Sequence, residues 1–159
     1  MWLFSARGGS YEQNVKVYIQ MADINHKFSI NASPDEVYTQ LTTIDGLQGW
    51  WTRGARGKSQ AGSTLQFHFG KRWHQMVRVV DQSPGRRVAW TCIAGSEDWV
   101  GTDIVFNLFH KEEGKTIVRF GHFGWPAHND FFAECSYHWA IFMKSLKDFV
   151  ETGKGNPHP

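Results

Sequence analysis

With 159 residues, 17 Lys plus Arg against 15 Asp plus Glu and a net charge of +2, the chain is sized for one domain and lacks the basic excess of a nucleic-acid binder. Aromatic residues make up 15%, with eight Trp and twelve Phe, a load that implies a thick core, a ligand cavity, or both. The two cysteines, Cys92 and Cys135, fit neither a disulfide framework nor a zinc spacing, and no apolar run approaches the length of a membrane span.

The first twenty residues differ in character from the remainder of the chain. Gly8, Gly9 and Ser10 form a flexible stretch, and Val15, Val17 and Ile19 alternate as a short strand would. Residues 1–20 are read as an extension that is an added scar, an upstream start or an extra edge strand. They carry too little apolar sequence for a secretory signal. The domain is placed at 21–156, with 157–159 as a tail. The two cysteines read as reduced, buried small hydrophobes of a cytoplasmic protein.

Ile24 to Ile30 alternates as a strand, with Ile24, His26, Phe28 and Ile30 on one face. Ser33, Pro34 and Glu36 then spell a capping box with proline at the first helical position, which predicts a helix over 34–42. A second short helix is expected over 44–50, ending in Gly49-Trp50-Trp51-Thr52 and followed by a loop to Gly62. From Ser63 the period becomes two. Strands are predicted over 65–69, 73–81, 87–93, 100–109 and 116–124, separated by turns such as Ser83-Pro84-Gly85 and Glu112-Glu113-Gly114. The final stretch, 130–152, repeats large apolar residues every three or four positions. It predicts a long helix with a wide buried face, Asp130 as N-cap and Gly153 as stop. A strand, two helices, consecutive strands and a long helix make an α+β meander without βαβ alternation.

The order and spacing of several short motifs resemble one family. They are Asn31-Ala-Ser-Pro-Asp-Glu-Val, Leu41-Thr-Thr, Gly49-Trp50-Trp51-Thr52, Phe69-Gly70, and Pro84 with Val88 and Trp90. Further on come Trp99-Val-Gly101-Thr102, His122-Phe-Gly124-Trp125-Pro126, and Leu146 through Gly153-Lys154-Gly155. Together, across residues 22–156, they resemble the START/Bet v 1 (SRPBCC) superfamily, in its bacterial branch related to the activator of the heat-shock protein 90 ATPase and labelled polyketide cyclase-like. The resemblance implies a helix-grip fold: a curved antiparallel β-sheet wrapped around a long C-terminal α-helix, with a cavity between them. Members bind lipids, sterols, hormones or polyketides, some are cyclases or hydrolases, and others act as cochaperones. Fold alone does not choose among these.

His122 shares a face with Val118 and Phe120 by alternation, so it is expected to point inward. There it would either meet a ligand as hydrogen-bond partner or acid–base group, or rest as a buried histidine with its own partners. The expected ligand-binding set is His122, Phe120, Trp90, Phe106, Trp51, Trp139 and Phe142. Trp50 and Trp51 are adjacent, so one is expected in the core and the other at a cavity rim. Glu97, Asp98 and Asp103 are expected to be solvated, and the face of Arg78 is undetermined. His68 with His74, and His122 with His128, lack zinc spacing, and no metal or cofactor is expected. The leading function is binding of a small hydrophobic or amphipathic molecule, with a cavity enzyme and a cochaperone-like regulator as alternatives. The protein is expected as a monomer or homodimer, the latter through the Val15–Ile19 strand or a sheet edge.

Overall fold

A computed structural model describes residues 22–159, so the expected Val15–Ile19 strand lies outside the described residues. The elements run β1 (Ala22–Ile30), α1 (Pro34–Thr42), α2 (Ile44–Trp50), β2 (Gly54–Gly57), β3 (Thr64–Phe69), β4 (Trp73–Ser83), β5 (Arg87–Ala94), β6 (Asp103–Glu112), β7 (Lys115–Trp125) and α3 (Asp130–Thr152). One seven-stranded antiparallel sheet has the order β1-β7-β6-β5-β4-β3-β2. It curves around α3, which is the helix-grip arrangement. Register shifts at Met76/Val77 and Val79/Asp81 in the β4–β5 ladder bend the sheet, because a bulge adds local twist.

Local chemistry explains the helix ends. Ser33 Oγ accepts from the Glu36 N–H, and the Glu36 carboxylate accepts from the Ser33 N–H at 2.7 Å, closing the capping box of α1. These bonds hold the Glu36 carboxyl below the usual carboxylate range. Thr43 caps α2 by accepting from Gly46 N. The N-cap of α3 is Asn129, not Asp130: its side-chain oxygen accepts from Phe132 N at 2.9 Å. Asp130 is already helical and serves the helix dipole. Asn129 also donates to Asp98 at 3.0 Å, which ties the start of α3 to the loop before β6. Gly153 closes α3 in the left-handed region at φ 76°, where a side chain would be strained.

Two boundaries depart from the sequence reading. The stretch after Thr52 contains β2, which pairs with β3 from Gly54↔His68 to Gly57↔Leu65. Four residues with glycine at both ends carry too little alternation to show as a strand. At the other end, β6 begins at Asp103, because Ser96 to Thr102 folds into a turn. There the Thr102 hydroxyl donates to the Trp99 carbonyl at 2.6 Å, and Gly101 takes a positive φ.

The core lies between the concave sheet face and α3, which buries Cys135, Trp139, Met143, Ser145 and Leu146. Ser145 is a buried hydroxyl with two bonds: it donates to Trp50 O at 2.7 Å and accepts from Asn156 N at 2.6 Å. It therefore joins α2, α3 and the C-terminal segment. That segment continues past residue 156. His158 N donates to Trp51 O and Arg53 N donates to His158 O, so Thr52 and His158 form a parallel bridge. Residues 157–159 are thus bound to the sheet margin, where a tail was expected.

Candidate functional site

The inward alternation of β7 does bury Val118, Phe120 and His122, and around His122 the polar groups close on one another. Trp139 Nε1–H donates to His122 Nδ1 at 3.0 Å. Thr102 Oγ1 lies 2.8 Å from His122 Nε2 and gives its own proton to the Trp99 carbonyl. With Nδ1 accepting and the hydroxyl already donating, Nε2 carries the imidazole proton. The ring is neutral and fully partnered, and burial pushes its pKa down to about 3. Trp99 and Trp125 close over it edge-on, with ring centroids 4.6 and 4.8 Å away.

The open space lies on the other side of Trp139. A cavity of about 300 Å³ sits between the N-terminal half of α3 and the β3–β4 arm. Trp51, Trp99, Trp139, Cys135 and Gln75 form its buried floor. Phe69, Phe131, Phe142 and His158, all half-buried, make the walls. Trp73, Glu134 and His138 stand exposed at the rim, and Trp73 stacks on Phe131 at 5.7 Å across the mouth. The His158 ring packs edge-on against Phe69 at 5.6 Å, so the C-terminal segment supplies one side of the wall.

Of the seven residues expected at a ligand, the structure places Trp51, Trp139 and Phe142 on this cavity. His122, Phe120, Trp90 and Phe106 lie in the packed core behind it. The reason is mutual filling: Trp51 stacks on Trp90 at 5.8 Å, Trp90 meets Phe106 at 5.3 Å, Phe106 meets Phe120 at 5.2 Å, and Phe120 meets Trp139 at 4.6 Å. Both Trp50 and Trp51 are buried, and their rings stack at 5.6 Å. This was not the expected division of one core and one rim residue. The chain leaves α2 at Trp51, so regular helical divergence no longer separates the pair. Sequence reading missed Phe69, Trp73, Gln75, Phe131, Cys135 and His158. Gln75 had a signal: it is the polar member of the inward series Gln75, Val77, Val79 in β4.

The remaining candidates sit apart. Arg78 is exposed on the outer sheet face. Asp103 accepts from the Thr91 hydroxyl at 2.6 Å at the surface. His68 and His74 stack on each other at 4.3 Å across β3 and β4, and His128 packs on Phe132. Among the described residues, no group of three or more His, Cys, Asp or Glu is placed to hold a metal. No described helix is long and apolar enough to cross a membrane.

Burial raises the Cys135 thiol to about 11, so near neutrality it is an S–H group. The Trp99 indole N–H lies beside the Cys135 sulfur but has no hydrogen-bond partner among the described residues. The cavity floor is therefore uncharged.

A curved antiparallel sheet gripping a long C-terminal helix, with an aromatic cavity between them, is the architecture of the SRPBCC superfamily. Residues 31–151 match the family described as activator of Hsp90 ATPase homolog 1-like protein, and the chain belongs to that family. It is similar to the Aha1 dimer of Colwellia psychrerythraea, with 43% identity and a TM-score of 0.77 over 85% of this chain and 100% of that one. A conserved protein of Enterococcus faecalis shares the fold at 18% identity and a TM-score of 0.70, over 87% of this chain and 77% of that one. CalU16 of Micromonospora echinospora does so at 15% identity and 0.69, over 86% and 78%. No curated protein matches the chain.

Proposed function

We propose that the protein binds a small, largely apolar or aromatic molecule in the cavity between α3 and the β3–β4 arm. The observation that carries this reading is the cavity itself: about 300 Å³, at the small end of the roughly 300–1,000 Å³ that ligand pockets span. Its floor is three indoles and its walls are three phenyl rings, which offer flat apolar area to a flat apolar guest. Binding is favoured over catalysis because the buried floor holds a protonated thiol and an amide but no activated nucleophile. His122, the one candidate base in the core among the described residues, is committed on both nitrogens. Native mass spectrometry of the freshly purified protein, compared with its denatured mass, tests the reading. A discrete extra mass lost on denaturation is expected. A clean apo mass, together with no quenching of tryptophan fluorescence by naphthalene-sized aromatic probes, sinks it.

A second reading has its own support in the family match and in the 43%-identical relative named Aha1: regulation of a heat-shock ATPase through the outer surface. Adding the protein to an Hsp90-type chaperone and measuring ATP hydrolysis tests it, and an unchanged rate removes it. We further propose a homodimer, supported by that relative's being solved as one and checked by light scattering. Two free cysteines support a reducing, cytoplasmic setting.

A further inference from the structure

The chemistry of the ligand can be read from Gln75. This residue projects from β4 into the cavity floor and is 3% exposed. Its amide cannot turn over. The Ser96 backbone N–H, a pure donor, gives to Gln75 Oε1 at 3.1 Å, and Gln75 Nε2 gives to Ser96 Oγ at 2.7 Å. The loop wraps the amide closely: a Cβ at Gly95 would collide with Gln75 Oε1, and Gly95 takes φ +133°. Nε2 carries two hydrogens, and only one has an acceptor among the described residues. Of the other floor donors, the Trp139 N–H goes to His122, while the Trp99 N–H lies beside the Cys135 sulfur and has no hydrogen-bond partner among the described residues. Among the described residues, the cavity lining contains no Lys or Arg.

We propose that the ligand is a flat apolar molecule carrying an uncharged hydrogen-bond acceptor, such as a ketone or aldehyde oxygen, and that it enters acceptor-first to take the second N–H of Gln75. The inference rests on the cavity being the binding site. A carboxylate at this depth would meet only the neutral donors of Gln75 and Trp99 and, among the described residues, no Lys or Arg, so its desolvation would go largely uncompensated. A carbonyl loses far less water and satisfies the amide that an all-hydrocarbon guest would leave unpaired. Gln75 is thus a specificity-determining residue, held in place before the ligand arrives.

The experiment uses the whole chain and two probes matched in shape, 2-acetylnaphthalene and 2-ethylnaphthalene, with binding read by tryptophan quenching. The ketone is expected to bind about three- to tenfold more tightly than the hydrocarbon, the range one neutral hydrogen bond supports. Gln75→Leu should bring that ratio to about one, chiefly by weakening the ketone. Because Gln75→Leu also removes two bonds from Ser96, a second readout needs no variant: the side-chain amide signals of Gln75 in a ¹⁵N-correlated spectrum of the wild type. They should move with the ketone and stay in place with the hydrocarbon. If neither probe binds the wild type, the cavity reading itself fails and this inference falls with it. If both bind but the Gln75 signals stay still with the ketone, or the preference survives Gln75→Leu, the inference is overturned and the cavity reading stands.

Discussion

Trp139 divides the interior into two regions of opposite character. Behind it, His122, Phe120, Phe106 and Trp90 are packed ring against ring, and the His122 nitrogens are both bonded. In front of it lies the open cavity, where Trp73 is 51% exposed and Phe142 and Phe131 are only half-buried. The same kinds of side chain build both regions. What differs is whether a second element brings a ring to fill the space. Trp99, Thr102, Trp125 and Trp139 converge on His122, whereas the side chains around the cavity, from α3, one sheet arm, Trp51, Trp99 and the C-terminal segment, line its space without filling it. The first region is built for stability, and the second sets stability aside for access.

That contrast can be broken by mutation. Phe106→Ala removes a fully buried ring and should cost about 3–5 kcal/mol in urea unfolding. Phe142→Ala on the cavity should cost well under half as much, yet weaken binding of an aromatic probe. Equal stability losses would mean that the cavity is not open in solution. His122→Phe keeps the ring volume but strands the Trp139 N–H, a loss of about 2–3 kcal/mol. It should leave probe affinity unchanged in the folded protein. A lost affinity would place His122 at the ligand after all.

pH sharpens the same division. The folded-state pKa of His122 lies at about 3, below the ordinary histidine value of 6.5. Between these values the unfolded chain binds a proton that the folded chain refuses. Stability should therefore fall as the pH drops from 6.5 toward 3, by up to roughly 1.4 kcal/mol per pH unit from this group, and be complete above that window. Chemical unfolding at a series of pH values measures the slope. In His122→Phe this component should vanish, and its persistence would assign the slope to other groups. The smallest stability effect belongs to the rim: Trp73→Ala should change unfolding by no more than about 0.5 kcal/mol, as exposed positions do, while loosening the probe. A large loss of stability would show that the Trp73–Phe131 stack is part of the core.

Much of the fold was legible because its signals are local. The Ser33–Glu36 box, the period-two runs and the three- and four-residue recurrence from Phe131 to Val150 each depend on neighbours within one turn or one strand. The β2 strand was not legible, since its reason to exist is the edge of β3 and not its own four residues. The site was legible by half. Alternation correctly turned Val118, Phe120 and His122 inward, but an inward position meets either a void or another ring. The ring that meets His122 comes from α3, 17 residues on.

By itself, then, the chain determined its elements, their order and the faces they bury, because helix caps and hydrophobic periods are short-range physics. Only the tertiary structure decided which inward residues face open space. It assembled Phe69, Gln75, Trp99, Trp139 and His158 into one cavity lining and packed Trp90, Phe106 and Phe120 out of it. A cavity is the volume left over by side chains from distant segments, and that remainder is written in no single stretch of sequence.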